Sequence, residues 1–503
     1  MLSFIVLMLQ LNLFSQVNFC ESKLDDYPTQ AQGREKPLLI LAEDSLRYMT
    51  GSKSFEKMTA TEVFCRLSLQ PFGLPFDKNL QIKVEHIDVK KDLGLSEDGQ
   101  GINVKELEAK IPILQVKLKE QKENNSYKKE LKKVISRFET YEAISSGSAW
   151  TVPVENQGKI DFLPLTSFLT ESRVQAMGGE NPVQSLFEQS KSSYLKLKGD
   201  NYLRELTYYK YSPFTYAIFL TLLSLVLYTV ISRPIAGHIA ASVSVLLQIY
   251  GMILRILISG RAPVTNMYET VMFSGLGALI ISGVVYFFYR KKAYLLSGLA
   301  YNLLCLMMMK FANGMLDEGI SPLVPVLRDN FWLSTHVTTI ILSYAALALS
   351  WLLANGVILR QLVGKISNAD AKDQSSQVYL CIKIGVVLLS TGIILGGVWA
   401  DYSWGRFWGW DPKETWSLIV FLIYMAILHG KYTNWITQKN FIPLVSGAFL
   451  SVMMAWFGVN YILASGLHSY GFSEGGAIFL GLFFVIQISL LVVHQMKIRR
   501  GEA

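Results

Sequence analysis

The chain has 503 residues, of which 51% are AVILMFWYC and only 17% are charged, with a mean hydropathy of +0.31. That average is too apolar for two or three ordinary soluble domains, and the composition also excludes collagen-like, disordered and disulfide-scaffold chains, so most of the protein is expected to lie in a lipid bilayer. The net charge is +8, yet residues 21–200 hold 26 basic and 27 acidic side chains, leaving 21 against 12 elsewhere; the positive excess sits in the apolar part, where it orients helices, and no nucleic acid partner is expected.

At the amino end, Leu2 to Phe14 is an apolar run too short to span comfortably, so residues 1–20 read as a signal peptide or an anchor. Residues 21–210 follow as an extracytoplasmic soluble domain of mixed α/β character. It contains strand-like KNLQIKVEHIDV and a charged helical stretch from about Val104 to Phe138. No phosphate loop, nucleophile elbow or metal spacing occurs in it, and His86, in the alternating pattern, reads as a surface or satisfied histidine. The four cysteines, at 20, 65, 305 and 381, contain no CxxC, so the chain has no dithiol motif and no thiolate cluster. Cys20 and Cys65 read equally as loose thiols or as structural residues, and Cys305 and Cys381 as membrane core.

Residues 211–503 form a transmembrane domain, so the fold class is an all-α polytopic membrane protein of about nine transmembrane helices preceded by the α/β domain. Apolar runs of roughly 18 to 25 residues, enough for ~30 Å of hydrocarbon, are expected at Phe214–Ile231, Ile235–Ile258, Tyr268–Tyr289, Tyr294–Phe311, Thr335–Leu359, Ile382–Trp399, Glu414–His429, Phe441–Leu463 and Ala477–His494. With the soluble domain outside, the inner connections carry Arg233, Arg290 to Lys292, Arg360, Lys365, Lys372, Lys431 and Lys439. The outer ones carry fewer basic residues, chiefly Arg261, Arg328, Arg406 and Lys413, which places the carboxyl end in the cytoplasm.

This topology sorts the histidines. His336 opens the fifth helix at the outer surface, since Arg360 lies about 36 Å further along it. His468 falls in the last outer loop, where several glycines let backbone approach a ligand. His429 ends the seventh helix, about 27 Å from Asp411 and near the inner face, and His238 lies one turn into the second helix near that same face. His494 reads as a helix-end residue. Between the outer histidines, residues 399–416 hold Trp399, Trp404, Trp408, Trp410 and Trp416, half of the ten tryptophans. Asp411-Pro412 is a helix start with Glu414 in its first turn. The expectation is a loop bearing a flat aromatic shelf for a planar apolar ligand, with Arg406 and Lys413 placed to pair with acidic groups on its rim. Two neutral imidazoles and an aromatic floor suit haem. On the residues alone, zinc and a proton or ion relay stay open beside it.

WGRFWGWDPKETWSLI resembles the tryptophan-rich WWD motif of the haem handling proteins. FWLSTHV, the LH of AILHG, and GLHSYG resemble the three histidine motifs of the CcsA (ResC) branch of system II cytochrome c biogenesis, and SGRAPVTNMYET resembles its first outer loop. The likeness runs from about Pro213 to the carboxyl end. It implies a membrane subunit of a cytochrome c synthase that exports haem b, presents it outside and promotes its attachment to the CxxCH of apocytochrome c. In that reading His336 and His468 are the outer axial ligands, Trp404, Trp408, Trp410 and Asp411 belong to the haem-presenting loop, and His429 receives haem within the membrane. The branch usually works with a CcsB (ResB)-like membrane subunit that supplies a further histidine. Here that histidine comes from a separate chain or is replaced by His238, and a separate thiol-reducing protein must keep the acceptor cysteines reduced.

Overall fold

The computed structural model describes residues 19–21, 23–74, 76, 78–122, 126–177, 181–312, 314–323, 329–364, 368–463 and 476–500. The chain divides into two compact units, Met1–Tyr211 and Ser212–Ala503.

The first unit is a mixed α/β body. Its strands form two-residue to six-residue antiparallel ladders, of which Thr151–Asn156 with Lys159–Pro164 is the longest. Its core gathers around Trp150, which is fully buried, with Phe187 at 5.3 Å, Phe64 at 6.1 Å and Tyr27 at 6.3 Å between ring centroids. Burial of these rings, with the Leu, Ile and Val side chains packed around them, drives the folding of this unit. Phe19 and Cys20 belong to the same core, so the folded body begins ahead of the expected boundary at residue 21. The reason is covalent: Cys20 and Cys65 form a disulfide with a Cα–Cα distance of 5.5 Å, and neither is a loose thiol.

Two local expectations change here. The KNLQIKVEHIDV stretch is a strand only at Gln81–Lys83. His86 ends it by capping the helix Ile87–Asp92, its Nδ1 accepting the Asp88 N–H at 3.2 Å, which satisfies a helix-terminal donor that a strand would not present. The charged stretch divides into two helices, Val104–Glu120 and Ser126–Ser145. Arg137 pins the second of them to the strand by donating to the Lys83 carbonyl at 2.7 Å and to Glu85 at 3.1 Å. Burial opposes ionisation of Glu85, but Lys83 and Arg137 outweigh it and hold that carboxyl below its usual range. Glu130, more deeply buried, is pushed up by desolvation.

Among the described residues, nine helices are long and apolar enough to cross a membrane, and the second unit is built from them. In order they are Pro213–Thr229, Pro234–Ser259, Met267–Tyr289, Lys292–Phe311, Asn330–Leu362, Asn368–Trp404, Pro412–Tyr432, Gln438–Leu463 and Gly476–Arg499. They are numbered first to ninth below. The ninth turns bare aliphatic side chains outward, Ile478 at 73% and Ile486 at 67% exposure, which only a hydrocarbon surrounding tolerates. Inside, polar side chains meet one another. Asn302 and Gln248 exchange hydrogen bonds of 2.8 and 3.1 Å. Gln487 donates to Ser446 at 2.7 Å, which donates to Asn355 at 2.7 Å. Such pairs tie helices together where hydrophobicity no longer distinguishes protein from lipid.

The sixth helix differs most from expectation. Instead of Ile382–Trp399 it covers 37 residues, Asn368–Trp404. Its first turns are polar and it continues past Trp399 until Gly405, whose φ of +66° and N–H bond to the Asp401 carbonyl at 2.8 Å end it. A left-handed residue is needed at that stop, and glycine takes the conformation without a Cβ penalty.

Candidate functional site

A cavity of ≈ 1190 Å³, its open mouth included, lies among the third, fifth, sixth, seventh and eighth helices. His336 lines it from the fifth helix, within a π-helical turn, Leu333–Val337. A second π-helical stretch, Met454–Leu463, brings Trp456 and Asn460 to the same space. Widened turns of this kind re-aim side chains and recur at functional sites.

The His336 ring is fixed from the sixth helix. Its Nδ1 lies 2.8 Å from the Gly392 carbonyl oxygen; a carbonyl only accepts, so Nδ1 carries a proton, and in the neutral ring the lone pair is then on Nε2. Trp399 stands edge-on at 5.8 Å between ring centroids. One turn after Gly392, Gly396 makes room: a Cβ there would come within 2.5 Å of the imidazole Cε1. Nothing in the sequence marks either glycine, because only the helix pairing shows what they face.

The tryptophan segment is not the continuous flat loop expected over 399–416. Trp399 to Trp404 finish the sixth helix, Gly405 to Asp411 make the turn, and Pro412 starts the seventh helix. Trp404 and Trp408 line the cavity. Trp410 stands outside it, 69% exposed and with φ +57°, a conformation that strains a bulky residue. Trp408 and Trp410 cross at 86°, with centroids 5.8 Å apart, so these two rings do not share a plane.

Asp411 shapes the turn. As the N-cap of the seventh helix it accepts the N–H groups of Lys413 at 2.8 Å and Glu414 at 3.0 Å. Glu414 answers by accepting from Gly409 at 2.7 Å and Asp411 at 3.3 Å, which completes a capping box. Arg406, expected to face the ligand's rim, lies 3.8 Å from Glu414 and over the cavity-lining Trp404 ring at 5.9 Å. Its guanidinium occupies the place where a Gly409 side chain would stand, 1.0 Å from the built Cβ. Lys413 lines the cavity.

The other histidines lie apart. His429 is near the far end of the helix that Asp411 caps, about 27 Å along it, and exposed, with Nδ1 donating to the Met425 carbonyl at 2.9 Å. His238 lies between Tyr228 at 5.2 Å and Tyr286 at 5.6 Å. His494 is bonded to Gln361 at 2.9 Å, a tie between helices. His468 lies outside the described residues.

Behind the cavity wall lies an ion pair that the spacing of residues does not reveal. Arg255, within an apolar run, is fully buried and donates to Glu269 at 2.8 Å. A cation inside a membrane-length segment demands a partner, and that demand was the signal available.

The residues around the cavity match known proteins. The Cytochrome C assembly protein family matches residues 264–468. The chain is 35% identical over 239 residues to the cytochrome c biogenesis protein CcsA of Guillardia theta, covering 42% of this chain and 78% of that protein. It is 34% identical over 248 residues to CcsA of Prochlorococcus marinus (strain MIT 9301), covering 43% and 79%. Protein NrfI of Wolinella succinogenes is 36% identical over 247 residues, which are 47% of this chain and 26% of NrfI. With more than three quarters of the CcsA proteins covered at this identity, the chain belongs to the CcsA family of cytochrome c biogenesis membrane proteins.

Proposed function

We propose that this chain is the membrane subunit of a system II cytochrome c synthase that carries haem b outward, presents it at the His336 cavity and promotes its thioether attachment to the CxxCH of apocytochrome c. The observation that carries the reading is the His336 ring, fixed by the Gly392 carbonyl with its lone-pair nitrogen on the Nε2 side, in a cavity walled by Trp399, Trp404 and Trp408. A neutral imidazole held by a hydrogen bond to its other nitrogen is the form that ligates iron. The indoles supply apolar surface for a porphyrin face or edge. Zinc gains no support, because among the described residues no three His, Cys, Asp or Glu side chains come together.

Haem is the substrate here. His468 would be the second outer ligand, and His429, with Nδ1 likewise committed to a carbonyl, would receive haem on the inner side, with a separate CcsB (ResB)-like subunit supplying its partner histidine. Attachment adds a cysteine S–H across a haem vinyl group: the sulfur bonds to the carbon next to the ring and the proton ends on the terminal carbon. Holding vinyl and thiol in contact removes the entropy of that encounter, and such placement can reach effective molarities of about 10⁵ M or more. The cavity belongs outside a bacterial-type inner membrane, with the carboxyl end in the cytoplasm, by the loop charges. The Cys20–Cys65 disulfide supports an extracytoplasmic first unit, since such bonds persist in oxidising compartments.

The test is co-expression of the chain with an apocytochrome c and a thiol-reducing protein, with and without a CcsB-like subunit, read by haem staining of denatured cytochrome and by a pyridine haemochrome assay of the purified membrane protein. Haem in the protein and covalent haem in the cytochrome are expected. Haem without attachment under either condition would make the chain a carrier only, and a protein without haem would favour an ion-translocating subunit. Gly396→Ala tests the ring's seat: its methyl collides with the imidazole, and haem per protein is expected to fall roughly 10-fold, the scale of losing a ligand's orienting partner, with little change in melting temperature.

A further inference from the structure

We infer that Arg255 and Glu269 are a positioning pair that holds one wall of the His336 cavity in register, a role that rests on the haem-binding reading of that cavity. The wall is the segment Val264 to Met267, which joins the second helix to the third and lines the cavity along its whole length. A loop wall needs an external frame, because its backbone groups have no helix to satisfy them.

Glu269 supplies that frame. One carboxylate oxygen accepts both the Thr265 N–H at 2.8 Å and the Thr265 hydroxyl at 2.7 Å. The other accepts Arg255 Nη2 at 2.8 Å and Nε at 3.2 Å. Arg255 then reaches across with Nη1 to the Glu318 carbonyl at 3.0 Å. The pair thus connects the end of the second helix, the wall and the segment containing Glu318 through one guanidinium. The planar fork makes this possible; a lysine offers a point charge and cannot hold both directions at once. Asn266 adds a parallel tie, capping the third helix by accepting the Glu269 N–H at 2.9 Å while its amide donates to the Asp317 carbonyl at 3.3 Å.

The exposures of the two side chains are 0% and 1%. Apolar packing of similar volume commonly replaces a buried ion pair without loss of stability. Retaining charge at this depth is therefore explained by what the charges hold, namely the Thr265 backbone and the Glu318 carbonyl, which methyl groups cannot hold.

This separates positioning from stability in one experiment on the full chain in detergent. The double variant R255M/E269L keeps the volume and removes both charges. It is expected to melt close to the wild type, carry roughly 10-fold less haem, the scale of losing an outer partner of a metal site, and show a Soret band shifted from the wild-type position in the residual fraction. R255K, which restores charge to Glu269 without the fork, is expected to recover part of the haem. A double variant with wild-type haem content and an unchanged spectrum would overturn the inference, and if that variant does not accumulate, R255K and E269Q are read in the same way. If the wild type itself carries no haem, the haem-binding reading fails, and hydrogen exchange at Thr265 to Met267 decides the pair: faster exchange in the variant supports it, unchanged exchange overturns it.

Discussion

His336→Ala is expected to remove the outer-site share of the haem absorbance of the purified protein while leaving the protein folded. The side chain is half-buried, and the hydrogen bond to Gly392 that its removal deletes is worth about 1 kcal/mol net, so the melting temperature should move little. Haem affinity should fall by more than the roughly 10- to 100-fold that loss of an outer partner costs a metal site, because here the ligand itself is gone. His336→Gly sharpens the test. It leaves an imidazole-sized space beside Gly396, whose own lack of a side chain keeps that space open. Millimolar imidazole is expected to restore a low-spin Soret band in the glycine variant and to do nothing for the wild type. A His336→Ala protein with undiminished Soret absorbance would refute the assignment of this residue as a ligand.

The second large effect is on the first unit. Cys20 and Cys65 are 45 residues apart in sequence, and for a loop of that length the chain-entropy relation gives a stabilisation of about 4 kcal/mol. Cys20→Ala/Cys65→Ala is expected to lower protection of the amides around Trp150 by most of that amount in hydrogen exchange, without altering exchange in the membrane helices. The buried rings of Phe64 and Trp150 lie 6.1 Å apart, so a loosened Ala60–Ser68 helix opens the core directly. Rapid alkylation of both thiols in the native, unreduced protein would show that the bond is absent.

Much of the membrane unit was legible because its constraint is one-dimensional. A helix must be apolar for as long as hydrocarbon surrounds it, so runs such as Ile235–Ile258 and Phe441–Leu463 declare themselves and their ends follow within a few residues. The sixth helix shows the limit: hydropathy marks where the bilayer stops, and the helix ignores it, continuing to Trp404 because nothing before Gly405 breaks it. Trp404 and Trp408 could be picked out by composition, but the angle between rings depends on the capping box at Asp411 and on Arg406 lying over Gly409. The contact between Arg406 and Glu414 is not legible in the sequence, because the two stand eight residues apart around a turn whose geometry no periodicity encodes.

By itself, the sequence determined that this is a polytopic membrane protein of the CcsA family, where its apolar helices run and which histidines and tryptophans deserve suspicion. Those are properties of residue type and spacing along the chain. The tertiary structure alone decided that His336 is oriented by the Gly392 carbonyl, that Gly396 leaves it room, that Cys20 is bonded to Cys65, and that Arg255 finds Glu269. Each of these joins residues from separate segments, and a hydrogen bond, a disulfide or a steric notch exists only once packing has set distances to within a few tenths of an ångström.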